Sequence, residues 1–78
     1  MFDTVSFKNW LIQHGYAGRV ASDIPSRAKR ADTILEWDNT ETYLFYLEQQ
    51  DAFKALSVSV RSQLRKSIKL YQEFSKSE

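Results

Sequence analysis

Apolar residues recur along this chain at helical spacing, and the densest stretch lies near its middle. Residues 43–47 (Tyr-Leu-Phe-Tyr-Leu) are all large and apolar or aromatic. At about 100° per residue they would cover every side of a helix, which is typical of a buried helix. The polar residues 38–40 (Asp-Asn-Thr) precede the stretch and can cap a helix N-terminus. The pattern therefore predicts a central, buried helix over about 40–50, with a possible extension to residue 56 or a restart after residue 51.

The spacing of apolar residues predicts a first and a last helix on either side of this central one. The first covers about 4–14, because an aromatic and apolar stripe ends there just before Gly15, a residue favoured past the end of a helix. The last covers about 59–75 and has the clearest pattern in the chain, with its apolar residues inside one arc of roughly 160°. Those residues are Val60, Leu64, Ile68, Leu70, Tyr71 and Phe74. Both helices are expected to pack one face against the core.

A proline interrupts the second helical segment. One apolar stripe continues over residues 19–35, but Pro25 falls inside it. Either a single helix bends at the proline, or a short turn ends near Ser22 and a new helix begins just before the proline. An interior proline costs about 3 kcal/mol, and Ser22 and Asp23 can both cap a new helix. The second interpretation is therefore favoured, and the helix is expected over about 24–36.

These elements predict an all-α fold, a compact bundle of four to five short helices that forms a single domain over residues 1–78. A chain of 78 residues suits one domain. The absence of cysteine excludes disulfide bonds and thiolate metal sites, so packing alone must stabilise the fold. No signal-peptide pattern occurs at the N-terminus, and no apolar run approaches the ~20 residues that span a membrane. We therefore expect a soluble, cytoplasmic protein with no membrane partner.

Basic residues collect towards the C-terminal end, although the net charge of the whole chain is only +1. Residues 61–78 carry five basic and two acidic side chains, whereas residues 41–60 carry one basic and three acidic side chains. Arg61, Arg65 and Lys69 follow each other at intervals of four residues, which places three cations in a row over about 12 Å of the last helix. Such a row repels itself unless an anion lies against it.

Two interpretations of this row stay open. The cations can be solvated and balanced by the helix dipole and the acidic third helix, or they can contact the phosphates of DNA or RNA. In the second helix, Arg27 falls close to the apolar stripe and needs a partner, such as the carboxylate of Asp23 or one on the third helix. Arg30 lies beside it, and Lys29 lies on the opposite side. The candidate DNA-binding residues are Arg27, Lys29, Arg30, Arg61, Arg65, Lys66 and Lys69.

The residue inventory argues against catalysis. The chain has one histidine, no cysteine, no glycine-rich phosphate loop and no Gly-x-Ser-x-Gly motif. Glu41 and Glu48 share one face of the third helix but have no basic or nucleophilic partner nearby in the sequence. No set of His, Cys or carboxylate residues occurs at the spacing of metal ligands. We therefore expect a protein without catalytic residues, metal, cofactor or small-molecule substrate.

Four features follow each other along the chain. A short first helix carries Phe7, Trp10 and Leu11, the segment 26–30 (Ser-Arg-Ala-Lys-Arg) comes next, the third helix is apolar, and the last helix ends with residues 70–74 (Leu-Tyr-Gln-Glu-Phe). This layout resembles the N-terminal core-binding domain of tyrosine recombinases and phage integrases. The resemblance implies a SAM-like helical bundle that clamps one side of DNA and precedes a separate catalytic domain. It therefore assigns no catalytic residue to this chain.

The expected function is that of a small, non-catalytic DNA-binding module that contacts the phosphate backbone through its basic C-terminal helix. The alternative is a protein–protein interaction module, or a small inhibitor or regulator, that binds a partner protein through its helical surface. Such a partner would use the acidic region around Glu41, Glu48 and Asp51 or a groove between helices. Salt separates the two functions, because phosphate contacts weaken steeply with added salt and apolar contacts do not.

Overall fold

Helices account for all the regular secondary structure in the computed structural model, which describes residues 3–38 and 40–77. In chain order they are α1 (Thr4–Gln13), α2 (Gly18–Ile34), α3 (Tyr43–Glu48), α4 (Asp51–Lys54) and α5 (Val58–Ser77). α2 packs against α1 and α5, and α3 packs against α4 and α5. The expected all-α bundle is therefore confirmed, with five helices in these ranges. None of these helices combines the length and the apolar character that a membrane span requires.

The core is built on the apolar arc of α5, a helix that extends slightly beyond the expected 59–75 at both ends. Four of the six predicted arc residues are buried, and Val60 and Leu70 lie half-buried at its edges. α1 adds the fully buried Phe7, and α3 adds the fully buried Leu47. Burial of a side chain of this size contributes about 1.5–3 kcal/mol, so these contacts supply most of the driving force for folding.

Aromatic rings connect the helices through the core. The Tyr71 ring of α5 lies edge-on to Phe7 of α1, with 4.9 Å between the ring centroids. It also lies edge-on to Trp37, in the loop after α2, at 5.0 Å. Trp37 in turn lies 4.8 Å from the Tyr43 ring of α3. The Tyr71 hydroxyl accepts a hydrogen bond from the backbone N–H of Asp3 at 3.1 Å. Three helices and a loop therefore share one aromatic cluster.

Local interactions define both ends of α1. The Asp3 carboxylate caps the N-terminus, where it accepts a hydrogen bond from the backbone N–H of Ser6 at 3.0 Å. The hydrogen bonds from Ser6 lower the pKa of the Asp3 carboxyl below its usual value. Beyond the C-terminus, Gly15 adopts a φ of +90°. This left-handed conformation costs a residue with a Cβ about 1–2 kcal/mol, which explains why a glycine stands where the helix stops.

α2 differs most from its expected form, because it continues unbroken through Pro25. The sequence favoured a new helix over 24–36, whereas the observed helix is Gly18–Ile34. Ala21 precedes the proline, Ala28 follows it, and both are fully buried. Small buried residues on both sides let α2 pack closely along its whole length. This packing offsets the backbone hydrogen bond that the proline cannot make.

The predicted capping residues have other partners. Ser22 lies inside α2, and its hydroxyl donates a hydrogen bond to the backbone carbonyl of Gly18 at 3.1 Å. The Asp38 carboxylate accepts hydrogen bonds from the backbone N–H of Thr40, at 3.1 Å, and from its hydroxyl, at 2.8 Å. Asn39 lies outside the described residues. The Asp38 carboxylate therefore binds Thr40 locally, and the N-cap residue of α3, Thr42, makes no capping hydrogen bond through its side chain.

α3 is shorter and more exposed than the sequence predicts. The helix expected over 40–50 ends at Glu48, and α4 follows as a separate helix. One side of α3 is buried, but Phe45 is 61% exposed and Tyr46 is 54% exposed. A helix of six residues that packs on one side of the bundle buries only one face. The prediction of a helix buried on every side is therefore wrong.

Tyr43 connects α3 to the C-terminal end of α2 through hydrogen bonds. Its side chain is fully buried, and its hydroxyl donates to the backbone carbonyls of Ala31, at 3.2 Å, and of Leu35. Helix ends leave carbonyls without helical partners, and this hydroxyl supplies one. Burial, followed by the nearby carboxylates of Asp32 and Asp38, raises the pKa of Tyr43 well above its ordinary value. The hydroxyl therefore remains a donor at neutral pH.

Replacing Tyr43 with Phe removes this donor and keeps the ring. We expect Tyr43→Phe to lower the free energy of unfolding by about 1–3 kcal/mol, because the part-buried carbonyl of Leu35 loses the donor that the Tyr43 hydroxyl supplies. Urea unfolding followed by circular dichroism measures the change. Tyr46→Phe is the matched control, since Tyr46 is exposed, and its effect should stay within about 0.5 kcal/mol. Equally small effects in both variants would show that the Tyr43 hydroxyl does not hold the two helices together.

Candidate nucleic-acid interface

Two helices that pack against each other carry most of the positive charge. α2 and α5 together hold nine of the eleven basic residues and three of the ten acidic residues, a net charge of +6. The rest of the chain holds two basic and seven acidic residues, a net charge of −5. Because α2 packs against α5, the two helices with the most cations are neighbours in the fold. The structure therefore extends the basic region beyond the C-terminal helix.

The side chain of Arg65 contacts other residues of the protein. Its Nε donates to Oε1 of Glu48 in α3 at 2.8 Å, and its guanidinium lies 5.9 Å from the ring centroid of Phe53 in α4. A second ion pair, between Lys76 and Glu41 at 3.2 Å, is more exposed. One cation of the row, Arg65, therefore pairs with an acidic residue of α3, whereas Glu41 lies before that helix. Arg65 ties α5 to α3 and α4.

The other two members of the row differ from Arg65 and from each other. Arg61 is half-buried, and its Nε is buried without a hydrogen-bond partner among the described residues. Lys69 is exposed and forms no ion pair with any residue in the described ranges. The spacing of four residues places the three cations along one line of α5, but neighbouring helices cover that line to different extents. Only Lys69 is fully accessible to a ligand.

Arg27 of α2 and Lys66 of α5 line one cleft between the two helices. The cleft measures about 180 Å³. Its other lining residues are Tyr16, Val20, Ile24, Gln63 and Ser67. Within residues 3–38 and 40–77, neither Asp23 nor any acid of the third helix forms an ion pair with Arg27, contrary to expectation. Arg27 lies on the side of α2 that meets α5, whereas Asp23 is exposed to solvent.

Lys29 and Arg30 lie elsewhere on α2. Lys29 is exposed and lines a separate groove between α1 and α2, together with Lys8 of α1. Arg30 is exposed and borders neither the groove nor the cleft. Of the seven predicted residues, Arg27 and Lys66 are the two that line this cleft.

Sequence reasoning overlooked the other five residues of this cleft, among them Gln63 and Tyr16. Gln63 precedes Lys66 by three positions, so both lie on the same side of α5, and this spacing was the available signal. Tyr16 lies in the turn between α1 and α2. No pattern in the sequence connects Tyr16 with α5, because their proximity depends on how the helices pack.

Neither metal-binding groups nor similarity to known proteins adds information about this surface. No group of three or more His, Cys, Asp or Glu side chains that could hold a metal ion occurs in the part of the chain that the structure describes. No family model, curated protein or solved structure shows a significant match to the chain. The resemblance to the recombinase core-binding domain therefore stays a prediction, and function has to be inferred from the residues themselves.

The pair of Arg65 and Glu48 provides a test of the packing of α3 on α5. In a double-mutant cycle with Arg65→Gln and Glu48→Gln, we expect a coupling of about 0.2–1 kcal/mol at low salt, since the pair is only partly shielded from water. The coupling should decrease at high salt. Urea unfolding of the four proteins measures it. The more exposed pair of Lys76 and Glu41 is the control, with a coupling near zero. The absence of coupling between Arg65 and Glu48 would contradict the observed contact.

Proposed function

We propose that this protein is a small, non-catalytic nucleic-acid-binding module that contacts the phosphate backbone of DNA with the surface formed by α2 and α5. The observation that carries the proposal is the separation of charge, +6 on these two packed helices against −5 on the rest of the chain. A protein with a net charge of +1 attracts a polyanion only if its cations are concentrated on one side. The packing of α2 against α5 supports such a concentration, because it brings Arg27 and Lys66 to one cleft between the two helices.

The accessible cations fit a phosphate backbone. Lys66, Lys69 and Arg30 are exposed and form no ion pair with other described residues. Contact with phosphates therefore breaks no salt bridge, and it releases counterions from the nucleic acid. Phosphate contacts carry no sequence information directly. We therefore expect binding with little preference for base sequence.

The acidic remainder of the chain favours one orientation on the nucleic acid. Exposed carboxylates such as those of Glu36, Asp38 and Asp51 lie outside α2 and α5 and repel phosphates. A nucleic acid that approaches the protein is therefore directed to the α2 and α5 surface. The resemblance to the core-binding domain of tyrosine recombinases, which clamps DNA, supports the same proposal.

Titration of a labelled duplex of random sequence, followed by fluorescence anisotropy at several salt concentrations, tests the proposal. We expect the logarithm of the affinity to fall with the logarithm of the salt concentration, with a slope of about −0.9 for each neutralised phosphate. The double variant Lys66→Gln with Lys69→Gln should make this slope shallower by about 1.8, because two phosphate contacts are lost.

The matched control is Lys8→Gln with Lys54→Gln, which removes the same charge from exposed positions outside α2 and α5. Its affinity and salt slope should stay close to those of the wild type. A folded wild-type protein that binds no duplex at low salt would refute the proposal. Equal losses in the two double variants would refute it as well, because net charge and not the α2 and α5 surface would then govern binding.

A second candidate function, association with another protein chain, rests on the exposed side of α3. Phe45 and Tyr46 are more than half exposed, and their rings lie edge-on with 5.3 Å between centroids. Of the exposed residues nearest to them in the sequence, Thr42 and Gln49 are uncharged, and the charge of Glu41 is paired with Lys76. Around a two-fold axis identical charges would face each other, so an uncharged aromatic surface suits a second copy of this chain. We therefore propose self-association through α3 as this second function.

Analytical ultracentrifugation over a range of protein concentrations measures this association. We expect a reversible dimer that Phe45→Ser with Tyr46→Ser abolishes and that added salt leaves almost unchanged, since the contact is apolar. Val5→Ser with Val58→Ser is the control, because both valines are highly exposed on other helices, and this variant should still dimerise. A protein that stays monomeric at every concentration would exclude self-association through α3.

A further inference from the structure

The cleft between α2 and α5 collects positively charged donors and no negatively charged acceptor. Its lining residues include Arg27, Lys66 and Gln63, whose side chains end in a guanidinium, an ammonium group and an amide. None of the described residues that line the cleft is Asp or Glu. Ser67 also belongs to the lining, but its hydroxyl already donates to the backbone carbonyl of Gln63 at 2.9 Å. The positive charge in this cleft is therefore not balanced by the groups around it.

For Arg27, the absence of a nearby anion costs free energy. It is half-buried, so its guanidinium has lost part of its hydration, and it forms no ion pair within the described ranges. Lys66 lines the same cleft, and repulsion between two cations is stronger beside a protein interior than in open water. A bound anion would relieve both the lost hydration and the repulsion.

We propose that this cleft is a binding site for a phosphate group, held by Arg27 and Lys66 with Gln63 as a neutral donor. The planar guanidinium matches two oxygens of a phosphate, and the lysine adds a point charge. At about 180 Å³, the cleft is smaller than the ~300–1,000 Å³ of pockets for drug-sized ligands, so it suits the phosphate and leaves the rest of the ligand outside.

The phosphate can come from two sources. One is the backbone of a nucleic acid, and in this form the inference rests on the proposed function. The other is a free phosphate or a small phosphorylated molecule, which would make the cleft a site of its own. The chemistry of recognition is the same in both cases, so the experiment has to separate them.

The larger groove between α1 and α2 is a weaker candidate for the same ligand. It measures about 530 Å³ and is lined by Lys8 and Lys29, but both lysines are exposed. The hydroxyls of Ser22 and Ser26 in its lining already donate to backbone carbonyls within α2. Fully hydrated lysines gain less from an anion than a half-buried arginine does. The α2 and α5 cleft is therefore the stronger site.

Titration of the ¹⁵N-labelled protein with inorganic phosphate, followed by two-dimensional NMR, tests the site directly. Sodium chloride at equal ionic strength is the reference. We expect saturable shifts, in the millimolar range, on the side-chain N–H signals of Arg27 and Gln63 and on the backbone amide of Lys66. Arg27→Gln with Lys66→Gln should lose these shifts. Arg30→Gln with Lys69→Gln, which removes one arginine and one lysine from exposed positions on the same helices, should keep them.

A single substitution distinguishes a loss of phosphate binding from a loss of folding. Lys66 is exposed, so Lys66→Gln leaves the core unchanged. Its thermal unfolding should match that of the wild type, and its phosphate affinity should still fall by several-fold. Arg27→Lys should retain part of the affinity, because it keeps the charge and loses the paired donors.

Duplex titrations of the same variants identify the source of the phosphate. If the cleft holds a backbone phosphate, the variant of Arg27 and Lys66 should lose about tenfold more affinity for DNA than the variant of Arg30 and Lys69, as expected for a charge-assisted contact. If both variants bind duplex equally and the phosphate shifts stay confined to the cleft, the site stands and its ligand is a small phosphorylated molecule.

Three results would overturn the site. The phosphate shifts would be spread evenly over the exposed cations, would fall on Lys8 and Lys29, or would not exceed those caused by chloride. The proposed function fails on a different result, since it requires duplex binding by the wild type that weakens with salt. The two failures are therefore distinguishable.

Discussion

Tyr71 is the contact on which the arrangement of the helices depends. Its ring lies edge-on to Phe7 of α1 and to Trp37 after α2, and its hydroxyl accepts the backbone N–H of Asp3. Edge-on aromatic pairs add about 0.5–1.5 kcal/mol to the energy of burial and restrict the angle at which two elements meet. A single side chain thereby fixes the orientation of α5 relative to the first half of the chain. The positions of all the charges on α5 follow from that orientation.

The rotation of α5 about its own axis divides its cations between two neighbours. When the apolar arc faces the core, Arg65 comes next to Glu48 of α3, and Lys66 comes next to α2. One side of the helix therefore uses its charge to hold the fold together. The other side meets Arg27 and leaves its charge available. A row that is continuous on a helical wheel is thus separated by packing into a structural part and an accessible part.

Sequence reasoning succeeded for helices whose pattern depends only on nearby residues. The long amphipathic period of α5 and the stripe of α1 before Gly15 depend only on local spacing, so fold class and the buried arc could be predicted. The continuation of α2 through Pro25 could not be predicted, because the proline is tolerated only when packing on both sides offsets its cost. The same holds for α3, since whether Phe45 is covered depends on the position of the helix in the bundle.

For the candidate site, sequence composition identified the cations but not their grouping. Arg27 and Lys66 are far apart in the chain, and nothing in their local spacing indicates that they line one cleft. The difference in charge between the pair of helices α2 and α5 and the rest of the chain also depends on how the helices pack. It becomes visible only when two basic segments are known to be neighbours in space.

The contacts around Tyr71 also determine when the protein can fold during its synthesis. The backbone of Asp3 and the hydroxyl of Tyr71 are separated by 68 positions, and Phe7 lies against Phe74 as well. While the ribosome is still making α5, the buried faces of α1 and α2 have no third element to cover them. α1 and α2 can then pack only against each other, and helix formation by itself is marginal at such lengths. The core of the bundle can therefore be completed only after α5 has emerged.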